Sequence, residues 1–137
     1  MRKRFVVSTI MAIAVFWMWV GFNASATAFD IQTSDENSVR VDVKPVDLVA
    51  EKPAVFEIRL NTHSVSLNYD MVEICSLQDG DGKIYKAVEW KGSPSGGHHR
   101  RGILEFPKLE GNPQSVKLLI RGIAGVSERS FEWKIGS

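Results

Sequence analysis

From Asn37 to Ile135 the apolar residues of this chain recur at every second position, and Gly, Pro, Asn and Asp break the pattern at short intervals. Period two places alternate side chains on opposite faces of an extended backbone, so the pattern predicts half-buried β-strands. Val39, Val41 and Val43 alternate with Arg40, Asp42 and Lys44, and Pro45 limits the ladder. Phe56, Ile58 and Leu60 alternate with Glu57, Arg59 and Asn61. Met71 to Leu77 and Lys83 to Trp90 flank Asp79-Gly80-Asp81-Gly82, whose glycines supply the positive φ of a tight hairpin turn. Ile103, Leu104 and Phe106 form a short strand, Val116, Leu118 and Ile120 another, and Phe131, Trp133 and Ile135 close the series.

About seven short strands without sustained three-and-four apolar spacing predict an all-β, immunoglobulin-like two-sheet antiparallel sandwich with little or no helix. A small barrel is the alternative. Trp90 and Trp133 are expected to fill much of the core, whose ordered part spans residues 38–135.

The first residues break this pattern. Met1-Arg2-Lys3-Arg4 is a basic n-region, Phe5 to Phe22 is nearly all apolar, and the overlapping Ala24-Ser25-Ala26 and Ala26-Thr27-Ala28 offer the A-x-A pattern of a cleavage site. Residues 1–28 are therefore expected to be an N-terminal signal helix, cleaved after Ala28, and residues 29–137 a single domain. The rival is an uncleaved anchor, because the apolar run approaches the length that spans a bilayer. Export to the periplasm or the medium is expected on either reading, with membrane contact only through that segment if it is retained.

Charge and cysteine content narrow the function classes. Three of the 17 Lys and Arg lie in the n-region, so from Phe29 onward 14 of them face 16 Asp and Glu, a net charge of −2. That balance argues against a nucleic-acid partner. Cys75 is the only cysteine, so no intramolecular disulfide can form and the core alone must hold the domain.

The candidate chemistry gathers in two motifs. His63 stands in Asn61-Thr62-His63-Ser64, and His98 and His99 follow Gly96-Gly97 and precede Arg100-Arg101-Gly102. Imidazole is the commonest metal ligand, and two or three of them suit copper or zinc in an oxidising compartment. His63, His98 and His99 are thus the candidate metal ligands, and with Arg100 they form the candidate ligand-binding loop face. The alternative is a structural role, with the histidines bonded to backbone groups in turns and the loops docking an envelope protein. Met71 and Cys75, four apart on one predicted strand, share a face and would be soft ligands, but a lone Cys and a Met in an apolar strand are usually core. Cys75 has no nearby downstream histidine, which argues against a blue-copper site.

Asp79-Gly80-Asp81-Gly82 lacks the later Glu of a calcium-binding EF-hand loop and reads as a solvated hairpin turn. Lys91, Arg100 and Arg101 surround one loop and could receive an anion. No G-x-S-x-G elbow or Cys-His pair marks a nucleophile, so a non-enzymatic module is expected. An enzyme would need an acid or base such as Asp70 or Glu73 beside the histidines.

Thr62-His63-Ser64, Gly96-Gly97-His98-His99-Arg100-Arg101-Gly102 and the ending Arg129-Ser130-Phe131-Glu132-Trp133 resemble motifs of a family of small, exported, uncharacterised bacterial proteins. The resemblance covers roughly Val39 to Ile135. It implies a bacterial envelope location and a self-contained domain, and brings no activity with it. Many relatives carry a lipid-anchoring cysteine after the signal; this chain has none there, which favours a soluble form.

Overall fold

The computed structural model describes residues 29–136; the signal segment expected over 1–28 lies outside the described residues. Among the described residues nine strands form two antiparallel sheets. The first sheet contains β1 (Gln32–Glu36), β2 (Val39–Asp47), β3 (Pro53–Thr62), β6 (Glu89–Gly92) and β7 (His99–Lys108), in the order β1-β2-β3-β7-β6. The second contains β4 (Cys75–Asp79), β5 (Ile84–Lys86), β8 (Ser115–Arg121) and β9 (Glu128–Lys134), in the order β5-β4-β8-β9.

The alternation read from the sequence sets which face of each strand is buried. Val39, Val41, Val43, Phe56, Ile58, Leu60, Leu104 and Phe106 of the first sheet pack against Leu77, Leu118, Ile120, Phe131 and Trp133 of the second. Each such fully buried side chain stabilises the fold by about 1.5–3 kcal/mol of transfer free energy. Phe56 joins the two layers: its ring meets Phe106 edge-on at 5.8 Å and Trp133 at 5.5 Å between centroids. Trp133 fills the core as expected. Trp90 does not: on edge strand β6 it is only partly buried, and its ring lies over Gly102 instead.

The count of strands rises from seven to nine for two reasons. β1 is a polar strand, Gln-Thr-Ser-Asp-Glu, in which no apolar alternation announces pairing. The predicted strand from Lys83 to Trp90 is split, with β5 paired to β4 in one sheet and β6 paired to β7 in the other. Around Ala87-Val88 the chain thus passes from sheet to sheet and stitches one side of the sandwich. The opposite side is bridged by a side chain: Gln32 of β1 accepts from the Glu132 backbone N–H of β9 at 3.1 Å and donates to the Glu132 carbonyl.

A further correction concerns Met71 to Leu77. Only Cys75 onward is strand; Met71–Ile74 forms one helical turn, α1. Asp70 caps it, its carboxylate accepting from the N–H groups of Val72 at 3.0 Å and Glu73 at 3.3 Å, which offsets the strand preference of Val72 and Ile74. Met71 and Cys75 therefore do not sit on one strand face, although both are buried in the core. The turn over Asp79–Gly82 forms between β4 and β5, with positive φ at Gly82 and not at Gly80. Asp79 is itself buried, and its carboxylate is occupied by the N–H groups of Asp81 and Lys83 and by the Tyr85 hydroxyl.

Candidate functional site

The two histidine motifs come together at one end of the first sheet because β3 and β7 are neighbours, with Asn61 opposite His99. The Thr62 N–H donates to the His98 carbonyl at 3.0 Å. The Thr-His-Ser segment is a turn built on the Thr62 hydroxyl. That oxygen donates to the Ser38 carbonyl at 2.7 Å and accepts from the N–H groups of Ser64 and Val65. Thr62 is buried while His63 and Ser64 are exposed. On the other side, Gly96 and Gly97 adopt φ of 109° and 70°, conformations open to glycine, and exchange backbone hydrogen bonds with Leu67. Here the chain turns into β7, and His98 and His99 stand exposed.

His99 is the first residue of β7 rather than a loop residue, and alternation then dictates its direction. Its ring faces outward with Arg101, its Nδ1 2.9 Å from Asn61 Oδ1. His99 borders a shallow depression shared with Arg59, Asn61, Ser93, Arg100 and Arg101. His63 borders a different one, shared with Asp35, Ser38, Asn61, Thr62 and Ser64. Asn61 lines both depressions and stands between them. Among the described residues no group of three or more His, Cys, Asp or Glu side chains is arranged to hold a metal ion. The structure thus brings His63, His98 and His99 to one end of the molecule but does not gather them around one point.

Arg100 requires a correction. It was expected on the ligand-binding face, yet it is only 4% exposed, because the alternation that turns His99 outward turns Arg100 into the sandwich. Its guanidinium donates to the carbonyls of Tyr69 at 2.7 Å, Leu67 at 3.2 Å and Ser93 at 3.3 Å, and lies 5.6 Å from the centroid of the Trp90 ring. Burial lowers the Arg100 pKa from its ordinary value, and the negative charge of Asp70 opposes that shift. Three carbonyls of two loops are held by this one cation, so Arg100 braces the end of the sandwich.

Arg129 plays the same part across the sheets, a role that its place in the C-terminal motif does not reveal. It is 2% exposed, and it donates to the carbonyls of Ser34, Glu36 and Val39, tying β9 to the hairpin between β1 and β2. The signal was present: Arg129 shares the parity of Phe131 and Trp133, the apolar face of the same strand. Asp70 and Glu73, the candidate acid and base, belong to the cap and first turn of α1. The Cys75 thiol is pushed up to about 12 by burial, which makes it a poor nucleophile and a poor ligand at neutral pH.

Compared with models of protein families, with curated proteins and with solved structures, the chain matches none.

Proposed function

We propose that this chain is an exported, non-enzymatic interaction module of the bacterial envelope, an immunoglobulin-like domain whose braced, histidine-bearing end docks an envelope protein. One observation carries the reading. Arg100, the buried one of the two cations in the histidine motifs, is committed to backbone carbonyls, while His63 and His99 are left exposed over two separate shallow depressions and His98 is exposed beside them in sequence. That arrangement suits a rigid, displayed surface better than a convergent pocket, because a ligand site needs its polar groups aimed at one volume.

The immunoglobulin-like assignment is supported by the strand neighbours: in β2-β3-β7-β6 over β5-β4-β8-β9 the central pairs β3-β7 and β4-β8 join strands distant in sequence, the A-B-E-D over C′-C-F-G order of that architecture. The basic, then apolar, then A-x-A start of the sequence supports export.

A second reading, copper or zinc held by the histidines, is favoured by the exposure of all three imidazoles at the same end. Calorimetric titration of residues 29–137 with Cu(II) and Zn(II), beside a variant with His63, His98 and His99 changed to Ala, separates the two. The interaction-module reading expects no tight one-to-one binding by either protein, and a variant less stable by about 1 kcal/mol through loss of the His99–Asn61 hydrogen bond. Tight stoichiometric binding that disappears in the triple variant would overturn it in favour of a metal module.

A further inference from the structure

A surface groove of about 510 Å³ lies on the outer face of the five-stranded sheet and adjoins the His99 depression, with which it shares Arg59 and Arg101. Register builds it. Thr33, Asp42, Arg59 and Arg101 stand directly opposite one another on β1, β2, β3 and β7, and Lys44 and Glu57 form the next cross-strand pair. Arg40 and Ile31 complete the lining. At about 4.8 Å between strands the first row is about 14 Å wide, and Arg40 and Lys44, four residues apart on β2, are separated by about the same distance.

Four cations and two carboxylates share this face, and they are not at the same height. The side chains of Arg40, Arg59 and Arg101 are 54%, 49% and 64% exposed, whereas Asp42 and Glu57 are 19% and 20% exposed beneath them. Asp42 accepts from Arg40 Nε and from the Thr33 hydroxyl. Glu57 takes Arg59 at 2.9 Å and Arg101 at 3.2 Å, both on Oε1, which leaves Oε2 free. Desolvation raises the Glu57 pKa, but the hydrogen bond from Arg59 and the charge of Arg101 outweigh it and hold the carboxyl below its ordinary value. The carboxylates thus anchor the guanidinium groups, whose remaining N–H donors face outward. Lys44 has no ion-pair partner among the described residues.

We propose that this groove binds a linear acidic polysaccharide, with sugar carboxylates on Arg40, Lys44, Arg59 and Arg101 and sugar hydroxyls on Thr33 and the free oxygen of Glu57. Three features select that occupant. Cations spread over about 14 Å in an open groove match the repeated charges of an extended chain rather than one small anion. The lining contains no aromatic ring, so it offers no platform for nucleic-acid bases. Accessible acceptors interleaved with the cations suit a ligand that carries hydroxyl donors as well as negative charge. The choice of a glycan also rests on the export reading, which places the domain where such polymers occur.

The test is binding of purified protein to oligogalacturonate by calorimetry, with neutral dextran and a single-stranded oligodeoxynucleotide of equal charge as comparisons. Lys44→Glu, at an exposed position without an ion pair, is compared with Lys134→Glu on the other sheet, which changes net charge equally. The expected result is saturable, salt-sensitive binding to oligogalacturonate, at least about fivefold weaker in Lys44→Glu and unchanged in Lys134→Glu, with unfolding midpoints of both variants close to the parent. Absence of binding, equal loss in both variants, or equal or tighter binding of the oligodeoxynucleotide would overturn the proposal. This readout does not depend on export, which is tested separately by N-terminal sequencing of protein recovered from the periplasm or medium. Failure of the binding proposal and failure of the export reading are therefore distinguishable.

Discussion

Arg100 and Arg129 show how one side chain can do the work of a disulfide in a domain that has none. Each is buried, each donates to three backbone carbonyls, and neither makes a direct salt bridge with a carboxylate among the described residues. A buried cation in such a setting is retained only because the carbonyl dipoles replace its hydration, so the pair is worth most when intact and costs most when half removed. Arg100→Met keeps the apolar stem but leaves the Leu67, Tyr69 and Ser93 carbonyls without this donor. It is expected to lower stability by about 3 kcal/mol in urea denaturation. Arg100→Lys should recover only part of that loss, since one ammonium cannot reproduce the guanidinium fork. The contrast with His99 is physical: one position along the strand exchanges the interior for solvent, so adjacent residues of the same motif have unrelated roles.

At the scale of the element, the final glycine of the Gly-Gly-His-His-Arg-Arg-Gly motif is explained by the packing of β6 on β7. A Cβ on Gly102 would lie 2.6 Å from Trp90 Cζ2 and 2.8 Å from the Lys91 carbonyl oxygen. The ring could turn away, but the carbonyl belongs to the paired backbone and cannot move without breaking the ladder. Gly102→Ala is therefore expected to destabilise the domain by about 2 kcal/mol and to shift Trp90 fluorescence, readable in thermal melts followed by tryptophan emission. Trp90 also donates its indole N–H to the Ser93 carbonyl and covers Arg100, so the substitution should loosen the whole brace rather than β6 alone. The same scale accounts for α1. Val72 and Ile74 prefer strands, but Asp70 supplies a cap and the turn sets Cys75 at the start of β4, so local hydrogen bonding overrides side-chain preference.

For the whole molecule, both sides of the sandwich are joined between sheets, by the Ile84–Gly92 crossing on one side and Gln32 on the other. Cys75, 3% exposed between the layers, reports on that closure. Below its raised pKa it stays a buried thiol, so alkylation by iodoacetamide at pH 8 is expected to proceed only at the rate of global opening and to become immediate in denaturant. The pH dependence has a definite sign. The thiol titrates near 9.0 when free and near 12 in the fold, so as pH rises above 9 the unfolded chain sheds the proton first and stability is lost toward 12. Urea midpoints at pH 8 and 10 should fall more in the parent than in Cys75→Ala, which removes this group.

By itself the sequence determined the all-β class, the buried face of most strands and the tight turn at Asp79–Gly82. Those properties follow from period-two burial and from glycine and aspartate chemistry within a few residues of chain. It also marked the two histidine motifs as neighbours of strand ends. Only the tertiary structure decided that β1 is a strand, since its polar residues pair with β2 while the Gln32 side chain is held by the Glu132 backbone of β9. Only it decided that the strand after Gly82 divides between sheets, because that depends on which neighbour each half meets. The separation of His63 and His99 into two depressions, the inward turn of Arg100 and the assembly of Arg40, Lys44, Arg59 and Arg101 into one groove are likewise matters of register between strands distant in sequence. A pattern along one strand states which residues share its face; which residues lie beside them is set by the pairing of the sheet.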